Sequence, residues 1–325
     1  MKLLSYKIKE NHIHQIGVLK SHEVYNLNAF FGDVNLIDIF KVDNFTEKIH
    51  SYIGSKDSIK HKIKDIIFLP VIPHPNSFRD AYAFREHVET CRKNRGSEII
   101  SEFEQFPVFY FSNHNSMYGH NQDIELMPDH FKCLDYELEI AVIIGKGGKN
   151  ILSKDADKHI AGFCILNDLS ARTLQMEEMK LNLGPAKGKD FANVLGPYIV
   201  TPEELFDKEI NTQFGKKYNL KMQCYVNGEL LSEGNAKNMH WTFGEIIQRA
   251  SYGVELFPGD IIGSGTVGTG CLLEINGTNK KQNPDYIEKW LKDGDEITMT
   301  VDVLGSISNK ILKSKNNHSI LKLKK

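Results

Sequence analysis

The sequence has little that would suit a membrane or secreted protein. Its longest uninterrupted apolar runs span about five residues, such as Ile140 to Ile144, whereas a membrane-spanning helix needs about 20. The first ten residues, MKLLSYKIKE, alternate apolar and charged side chains and lack the apolar core of a secretory signal. We therefore expect a cytoplasmic protein with no membrane partner.

Cysteine is also scarce, and its spacing excludes the usual structural uses. The five cysteines are scattered, odd in number and never in CxxC spacing, which argues against a disulfide framework and a zinc knuckle. We interpret them as small buried hydrophobic residues. They are Cys91, Cys133, Cys164, Cys224 and Cys271.

Neither sign of charge dominates the chain. Forty Lys and Arg against 42 Asp and Glu give a formal charge of -2, which creates no broad positive field for nucleic acid. The segment from Lys310 to Lys325 carries six lysines and no acid, and we interpret it as a final strand followed by a solvated tail. No nucleic-acid partner is expected.

The length of 325 residues, with 41% hydrophobic residues, suggests about two domains. The best boundary is the break where IIFL leads into Pro70, Pro73 and Pro75, which separates a small domain, residues 1–72, from residues 73–325. GxGxxG, Walker and nucleophile-elbow motifs are absent.

Alternation and turn signals predict a β-rich α+β fold. Strands are expected at Leu3 to Lys9 and Gln15 to Leu19, with a short helix near Leu36 to Phe40. Downstream, strands are expected in LEIAVIIG, GFCILND, KMQCYVNGELL, DIIGSG, LLEING and EITMTVDVLG, with GSGTVGTG as a turn between strands. Helices are expected at Ser77 to Arg92, Ser170 to Met179 and Thr242 to Tyr252, the last with a capping box.

Two glutamates open the most informative strand. Glu137 and Glu139 in LDYELEIAVIIG are two residues apart, so they should share one face of a strand whose continuation is apolar enough to be buried. Paired carboxylates next to a core need a cation, although a solvent-facing strand edge is an equally open interpretation. Asp168, at the end of GFCILND, is either a third ligand or a helix cap. Three acids without a nearby His or Cys cluster would suit a hard cation rather than zinc.

Further residues could complete a site. Asp80 and His87 are seven apart and would share one face of the expected helix, although a surface histidine is the simpler interpretation. Lys187 and Lys189 lie among glycines, where solvated lysines are common. Glu274, expected inside a strand, would need a partner, and a buried histidine is the natural one.

These segments together resemble the fumarylacetoacetate hydrolase family over about residues 77 to 303. DYELEIAVIIG is similar to the paired-Glu strand of the family, NDLSARTLQ to its Asp-containing turn, LGPAKGKDF to its lysine loop and SGTVGTGCLLE to its closing segment. All four occur in the order of the family.

The resemblance implies roles for particular residues. His87 with Glu274 would activate water, and Lys189 with Gln175 would stabilise developing negative charge. A divalent cation would be bound by Asp80, Glu137, Glu139 and Asp168. Substrate would be contacted by Tyr82, Arg95, Tyr110, Gln175 and Thr266.

The resemblance also implies a fold and a reaction. Family members have a small SH3-like N-terminal barrel followed by a C-terminal β-roll, and they usually form homodimers. The expected activity is hydrolysis of a carbon–carbon bond in a 1,3-dicarbonyl acid, within aromatic amino acid and tyrosine degradation. The expected cation is Mg²⁺, with Ca²⁺ or Mn²⁺ as alternatives. Isomerisation, hydration, dehydration or decarboxylation of a 2-oxo acid on the same scaffold stays open, as does a non-catalytic binding protein.

Overall fold

The computed structural model of the protein describes residues 1–10 and 13–323. These residues form a mixed α and β structure that is rich in sheet. Within the two described ranges, no helix is both long and apolar enough to cross a membrane.

The chain begins with short strands and helices, as the alternation of its first residues predicts. The elements of this part are β1 (Lys2–Ile8), β2 (His14–Lys20), β3 (Glu23–Asn26), α1 (Asn28–Phe31), α2 (Leu36–Phe40), α3 (Phe45–Ile53), β4 (Lys60–Lys62) and β5 (Ile66–Phe68). The two strands and the helix predicted here are confirmed.

The elements of the middle part are β6 (Phe78–Ala81), α4 (Arg85–Asn94), β7 (Phe109–Ser112), β8 (Met117–Tyr118), β9 (Ile124–Leu126), β10 (Leu134–Asp135), β11 (Leu138–Ile144), β12 (Gly148–Lys149), β13 (Ile160–Asp168), β14 (Ser170–Ala171), α5 (Arg172–Met179) and β15 (Asn193–Val200). The last part contains β16 (Glu209–Thr212), β17 (Gly215–Tyr218), β18 (Lys221–Val226), β19 (Glu229–Asn235), α6 (Phe243–Ser251), β20 (Glu255–Leu256), β21 (Ile261–Gly263), α7 (Leu272–Gln282), β22 (Glu296–Val301) and β23 (Gly305–Lys313). The final strand predicted after Lys310 lies in β23, and residues 324 and 325 of the predicted tail lie outside the described residues.

One helix prediction, Ser77 to Arg92, is wrong over its first part in a way that matters for the site. Residues 78–81 form a strand, not the start of a helix, because β6 pairs with β21 on one side and with β7 on the other, which satisfies its backbone groups. Asp80 therefore lies on a strand and His87 on α4, so the two do not share a helix face.

LLEING is the opposite error, because it forms the start of α7 and not a strand. Asp135 accepts hydrogen bonds from the first two helical amides, those of Leu272 and Leu273, at 2.7 and 3.0 Å, and so supplies partners that a helix start needs. GSGTVGTG consequently connects a strand to a helix and not two strands. Glu274 lies in the first turn of α7, where a negative charge is favourable.

One sheet runs through the molecule and crosses the predicted domain boundary. It has 12 strands in the order β4-β3-β2-β1-β15-β13-β11-β21-β6-β7, with β5 on β1 and β8 on β15. A five-stranded sheet, β19-β18-β22-β23-β9, lies beside it. The N-terminal strands therefore continue the sheet that holds the predicted site residues.

The large sheet is covered on both faces. Ile140 and Val142 of β11 belong to a core that includes Met299 of the five-stranded sheet. Ala141 and Ile143, which point the other way, belong to a core with residues of β1, β2, α2 and α3. This explains why β11 is apolar without interruption after Glu139.

Candidate active site

Four acidic side chains from distant parts of the sequence converge at one place. They are all buried, and one carboxylate oxygen of each lies within 4.8 Å of the others. We call them the carboxylate cluster: Asp80, Glu137, Glu139 and Asp168. These are the four residues that the family resemblance assigns to a divalent cation.

The sheet order brings these side chains together. Asp168 ends β13, Glu139 lies in the neighbouring β11, and Asp80 lies in β6 on the far side of β21. Gly263 of β21 faces Asp80, and a Cβ added at this glycine would collide with the carboxylate. The glycine therefore provides the space in which the acids of β11 and β6 meet.

Neutral donors fix the orientation of three of the acids. The hydroxyl of Tyr110, which lies opposite Asp80 on β7, donates to Asp80 at 3.0 Å and to Asp168 at 2.6 Å. The backbone amide of Gly265 donates to Asp80 at 3.2 Å and to Glu139 at 3.0 Å.

Two buried cations lie at the other side of the cluster. Lys189 donates from Nζ to Glu137 and, at 2.5 Å, to Asp168. Arg172 donates from Nη2 to Glu137 at 2.7 Å and from Nε to Asp135 at 2.8 Å. Glu137 is thus the carboxylate with the most positive charge around it.

The pKa values show an excess of negative charge in the cluster. Burial raises the pKa of Asp80 to about 7, with Asp168 acting in the same direction, and burial also raises the pKa of Glu139 well above its usual range. Burial raises the pKa of Asp168 although Lys189 opposes it. For Glu137 burial acts upward too, but the two neighbouring cations outweigh it and lower the pKa.

The donor set fits a hard divalent cation. Asp168 has a buried oxygen, Oδ1, that accepts no hydrogen bond from the described residues, and the four acids offer oxygen ligands alone. Mg²⁺, Mn²⁺ and Ca²⁺ prefer such ligands, and a divalent charge would reverse the rise in the pKa of Asp80 and Glu139.

A histidine and a glutamate form a pair beside the cluster. Nδ1 of His87 on α4 lies 2.7 Å from Oε2 of Glu274 on α7, and both side chains are buried. The amide of Thr269 donates to Oε1 of Glu274 at 2.9 Å, which fixes the carboxylate. Burial acts to lower the pKa of His87, but hydrogen bonds with Cys271 and Glu274 outweigh it and raise the pKa to about 10.

Both groups open onto one cavity of about 380 Å³. Its lining includes the following residues predicted from the sequence: Asp80, Tyr82, His87, Arg95, Tyr110, Glu137, Glu139, Gln175, Lys189 and Thr266. Asp168 and Glu274 are not among the lining residues. They lie behind two that are, since Asp168 accepts a hydrogen bond from Lys189 and Glu274 is hydrogen-bonded to His87. Lys187, in contrast, is exposed and pairs with Asp190 at 3.0 Å.

Sequence reasoning missed the pair formed by Asp135 and Arg172. Arg172 donates hydrogen bonds to Glu137 of the cluster, to Asp135 and, at 3.0 Å, to Gln175. Asp135 in turn holds the start of α7, so the pair connects the cluster to the helix that carries Glu274. Both residues stand inside segments already singled out, LDYELE and NDLSART, but nothing in their spacing shows that they meet.

The sequence matches one protein-family model and is similar to several known proteins. The family model for the fumarylacetoacetate (FAA) hydrolase C-terminal region matches residues 76–312. The oxaloacetate tautomerase YisK of Bacillus subtilis (strain 168) is 33% identical over 216 residues, 66% of this chain and 64% of YisK, so the match spans less than two thirds of that relative. An uncharacterized protein of Staphylococcus aureus (strain USA300) is 29% identical over 331 residues, 96% of this chain and 100% of the relative.

Solved structures share the fold over nearly the whole chain. The fumarylacetoacetate hydrolase of Exiguobacterium antarcticum has a TM-score of 0.72 at 23% identity, covering 97% of this chain and 100% of that one. The maleylpyruvate hydrolase of Sphingobium sp. SYK-6, in complex with manganese(II) ion and pyruvate, has a TM-score of 0.72 at 19% identity with the same coverage. The sheet-rich α+β fold is therefore the one found in this class of enzymes.

The family match covers most of the chain, including every residue of the cluster and the histidine–glutamate pair. The protein belongs to the fumarylacetoacetate hydrolase family, whose members include hydrolases, isomerases and tautomerases.

Proposed function

We propose that the protein is a divalent-cation-dependent hydrolase that cleaves a carbon–carbon bond in a 1,3-dicarbonyl acid. The observation that carries this proposal is the position of His87, hydrogen-bonded to Glu274, in the same cavity as the carboxylate cluster and Lys189. A cation held by the cluster would supply Lewis-acid polarisation of the substrate oxygens. Mg²⁺ is our first choice, with Mn²⁺ and Ca²⁺ as alternatives.

His87 has the geometry for moving a proton. Because Glu274 accepts from Nδ1, the proton of the neutral imidazole is on Nδ1, and Nε2 is the atom that takes a proton from water. A divalent cation held by the carboxylate cluster would lower the pKa of His87, since like charges repel, and would so favour the neutral imidazole that a base needs. A general base in this position typically contributes about 10² to 10⁴ in rate.

Other residues of the cavity would orient the substrate and stabilise charge. Nζ of Lys189 provides a fixed positive charge for the oxygen on which negative charge develops as the carbon–carbon bond breaks. Arg95 provides a guanidinium for a substrate carboxylate, and Tyr82 and Thr266 border the same space.

The assay is direct. Purified protein with Mg²⁺ or Mn²⁺ should release the two acids from an acylpyruvate, fumarylacetoacetate or maleylpyruvate. His87→Ala should lose about 10² to 10⁴ in kcat and still bind Mn²⁺, whereas Glu137→Ala should lose both activity and affinity. His74→Ala, at an exposed histidine outside the cavity lining, is the matched control. Near-normal hydrolysis by His87→Ala would show that the histidine does not activate water.

The second candidate is tautomerisation of a 2-oxo diacid. It is favoured by the similarity to a protein named oxaloacetate tautomerase, and by the fact that a proton held between His87 and Glu274 could return to carbon. Rapid loss of enol absorbance from oxaloacetate, with no cleavage of any acylpyruvate, would select this reaction over hydrolysis.

We further propose the finer architecture implied by the family. Residues 1–72 would form an SH3-like barrel, residues 73–325 would contain a β-roll, and two chains would form a homodimer. Sedimentation of the purified protein at the mass of two chains would support the dimer, and a monomer at assay concentration would contradict it. The cytoplasmic location and the place in aromatic amino acid breakdown stay predictions.

A further inference from the structure

The backbone of Thr269 holds the carboxylate that contacts the histidine. Its amide donates to Oε1 of Glu274 at 2.9 Å, and Oε2 of the same carboxylate lies 2.7 Å from Nδ1 of His87. Both oxygens of Glu274 are therefore engaged, one by a backbone amide and the other by the imidazole. The direction in which Oε2 faces His87 depends on where the amide of Thr269 is fixed.

The helix alone does not fix this carboxylate. Asp135 accepts hydrogen bonds from the first amides of α7 and so places the backbone of Glu274. The glutamate side chain still has several rotatable bonds, and each staggered rotamer would aim its oxygens differently. The amide of Thr269 therefore selects the rotamer that faces His87.

Thr269 itself has an unusual backbone conformation. It is the third residue of a turn in which the amide of Gly270 donates to the carbonyl of Val267 at 2.8 Å. Its φ of 61° lies in the left-handed region, where a turn favours glycine or asparagine and where a β-branched residue is strained. Such a conformation persists only where surrounding contacts impose it, and it tends to occur at functional sites. The contacts that hold Thr269 therefore bear on the position of Glu274.

A buried serine of the five-stranded sheet holds the carbonyl side of Thr269. Oγ of Ser232 on β19 donates to this carbonyl at 2.6 Å, and Ser232 is 1% exposed, so water does not compete for the bond. The hydroxyl of Thr269, which lies at the surface, donates to the carbonyl of Glu233 at 3.1 Å. Two neighbouring residues of β19 thus fix the turn.

Tyr136 completes a line of hydrogen bonds. Since the single hydroxyl proton of Ser232 goes to the carbonyl of Thr269, the phenol of Tyr136, 2.7 Å away, donates to Oγ of Ser232. Burial raises the pKa of Tyr136 well above its usual range, so the phenol keeps this proton. Tyr136 directly precedes Glu137 of the carboxylate cluster. The line therefore begins beside the acids that would hold the cation and ends at the base.

We propose that Ser232 is a positioning residue for the histidine–glutamate pair, and that it acts on Glu274 through the backbone of Thr269. Ser232, Thr269 and Tyr136 lie outside the cavity lining, so none of them would touch the substrate. Loss of the serine hydroxyl should disturb the alignment of the base and leave substrate contacts in place. The effect on turnover rests on the proposed function, whereas the effect on the hydrogen bond between His87 and Glu274 does not.

Kinetics of three variants test the effect on turnover. Ser232→Ala leaves the carbonyl of Thr269 without its donor and should lower kcat about 10-fold with little change in KM. Tyr136→Phe keeps the bond between Ser232 and Thr269 and should lower kcat less, by about 3-fold. Ser251→Ala is the matched control, because this buried hydroxyl accepts from the amide of Ile151 at 2.9 Å and lies outside the cavity lining, and it should keep the wild-type kcat.

Proton NMR of the Mg²⁺-loaded protein tests the positioning without substrate. The proton between Nδ1 of His87 and Glu274 should give a resonance far downfield, which is identified by its absence in His87→Gln. In Ser232→Ala this resonance should move upfield, because the hydrogen bond to a displaced carboxylate lengthens. In Ser251→Ala it should stay in place.

The proposal is overturned by a downfield resonance that stays in place in both Ser232→Ala and Tyr136→Phe, by a wild-type kcat in Ser232→Ala, or by an equal loss of kcat in Ser251→Ala. Circular dichroism shows that each variant has folded, and Tyr136→Phe still tests the line of hydrogen bonds if Ser232→Ala does not fold. If the wild type converts no substrate, the proposed function fails and the NMR result alone decides the role of Ser232.

Discussion

At the residue scale, Lys189 supplies positive charge to two acids of the carboxylate cluster. It contacts Glu137 and Asp168, and both of these acids are buried. A buried carboxylate that loses its partner costs several kcal/mol, whereas an exposed ion pair contributes little. Lys187, two residues earlier, offers the comparison, because its contact with Asp190 is exposed.

The first prediction compares these two lysines. Lys189→Met should lower the free energy of unfolding of the metal-free protein by about 3 to 5 kcal/mol, because two buried acids lose their cation. Lys187→Met should change it by less than about 0.5 kcal/mol. Denaturant unfolding in EDTA measures both, and Mn²⁺ should recover part of the loss in Lys189→Met. Equal effects of the two substitutions would contradict the role of Lys189 as the internal counter-ion.

The second prediction concerns pH. Asp80, with a usual pKa of 3.8 raised to about 7, holds a proton in the folded metal-free protein that the unfolded chain has already released above about pH 4. Its contribution to stability is therefore present at low pH and is lost as the pH rises from about 4 through 7. A cation has to displace this proton, so Mn²⁺ affinity should increase from about pH 5.5 to about pH 8. Calorimetric titration at the two pH values measures this, and an affinity that is flat or falls with pH would contradict it.

The third prediction concerns two secondary-structure elements, α5 and α7, which Asp135 connects. Its carboxylate accepts from the first amides of α7 and from Arg172 at the start of α5. Asp135→Asn should cost about 2 to 3 kcal/mol in unfolding free energy, since Arg172 keeps only one acidic partner, Glu137, and α7 loses a charge at its positive end. Asp155→Asn, which breaks an exposed pair with Lys158, is the matched control. Calorimetric melting measures the difference, and a control that loses as much stability would remove Asp135 as an anchor.

Elements that depend on short-range sequence patterns could be predicted, whereas elements that depend on pairing with distant strands could not. The turn at Asn227 and Gly228 adopts φ of 52° and 81°, as its sequence predicts, and Thr242 with Glu245 forms the predicted capping box. The strand that holds Asp80 was missed because its stability comes from neighbours far away in sequence, β21 and β7. The acids of the cluster could be chosen from motif resemblance, but their mutual distances depend on strand order, which periodicity does not encode.

At the scale of the whole molecule, the N-terminal segment is part of the main sheet. β1 pairs with β15, with Leu3 opposite Ile199, and both side chains belong to the core that also contains Ala141 and Ile143 of β11. The domain boundary between residues 72 and 73 stays a prediction. The pairing of β1 with β15 shows that removal of residues 1–72 would expose apolar side chains of this core.

The fourth prediction is for the fragment of residues 73–325. Without β1, the fragment leaves the end of β15 at Ile199 and Val200 as an open strand edge next to uncovered apolar side chains, which favours association between copies. We expect it to bind a hydrophobic dye and to aggregate, while the full chain unfolds in one transition. Size-exclusion chromatography and dye fluorescence measure this, and a monodisperse fragment with a cooperative transition would show that β1 is dispensable.

The raised pKa values of Asp80 and Glu139 have a further consequence for the cavity. If each of these acids releases one proton when a divalent cation binds, two positive charges leave as two enter. The net charge of the pocket is then the same before and after binding. The exchange then involves no change in long-range attraction to the surrounding electrolyte. Metal loading should therefore respond steeply to acidity and hardly at all to ionic strength.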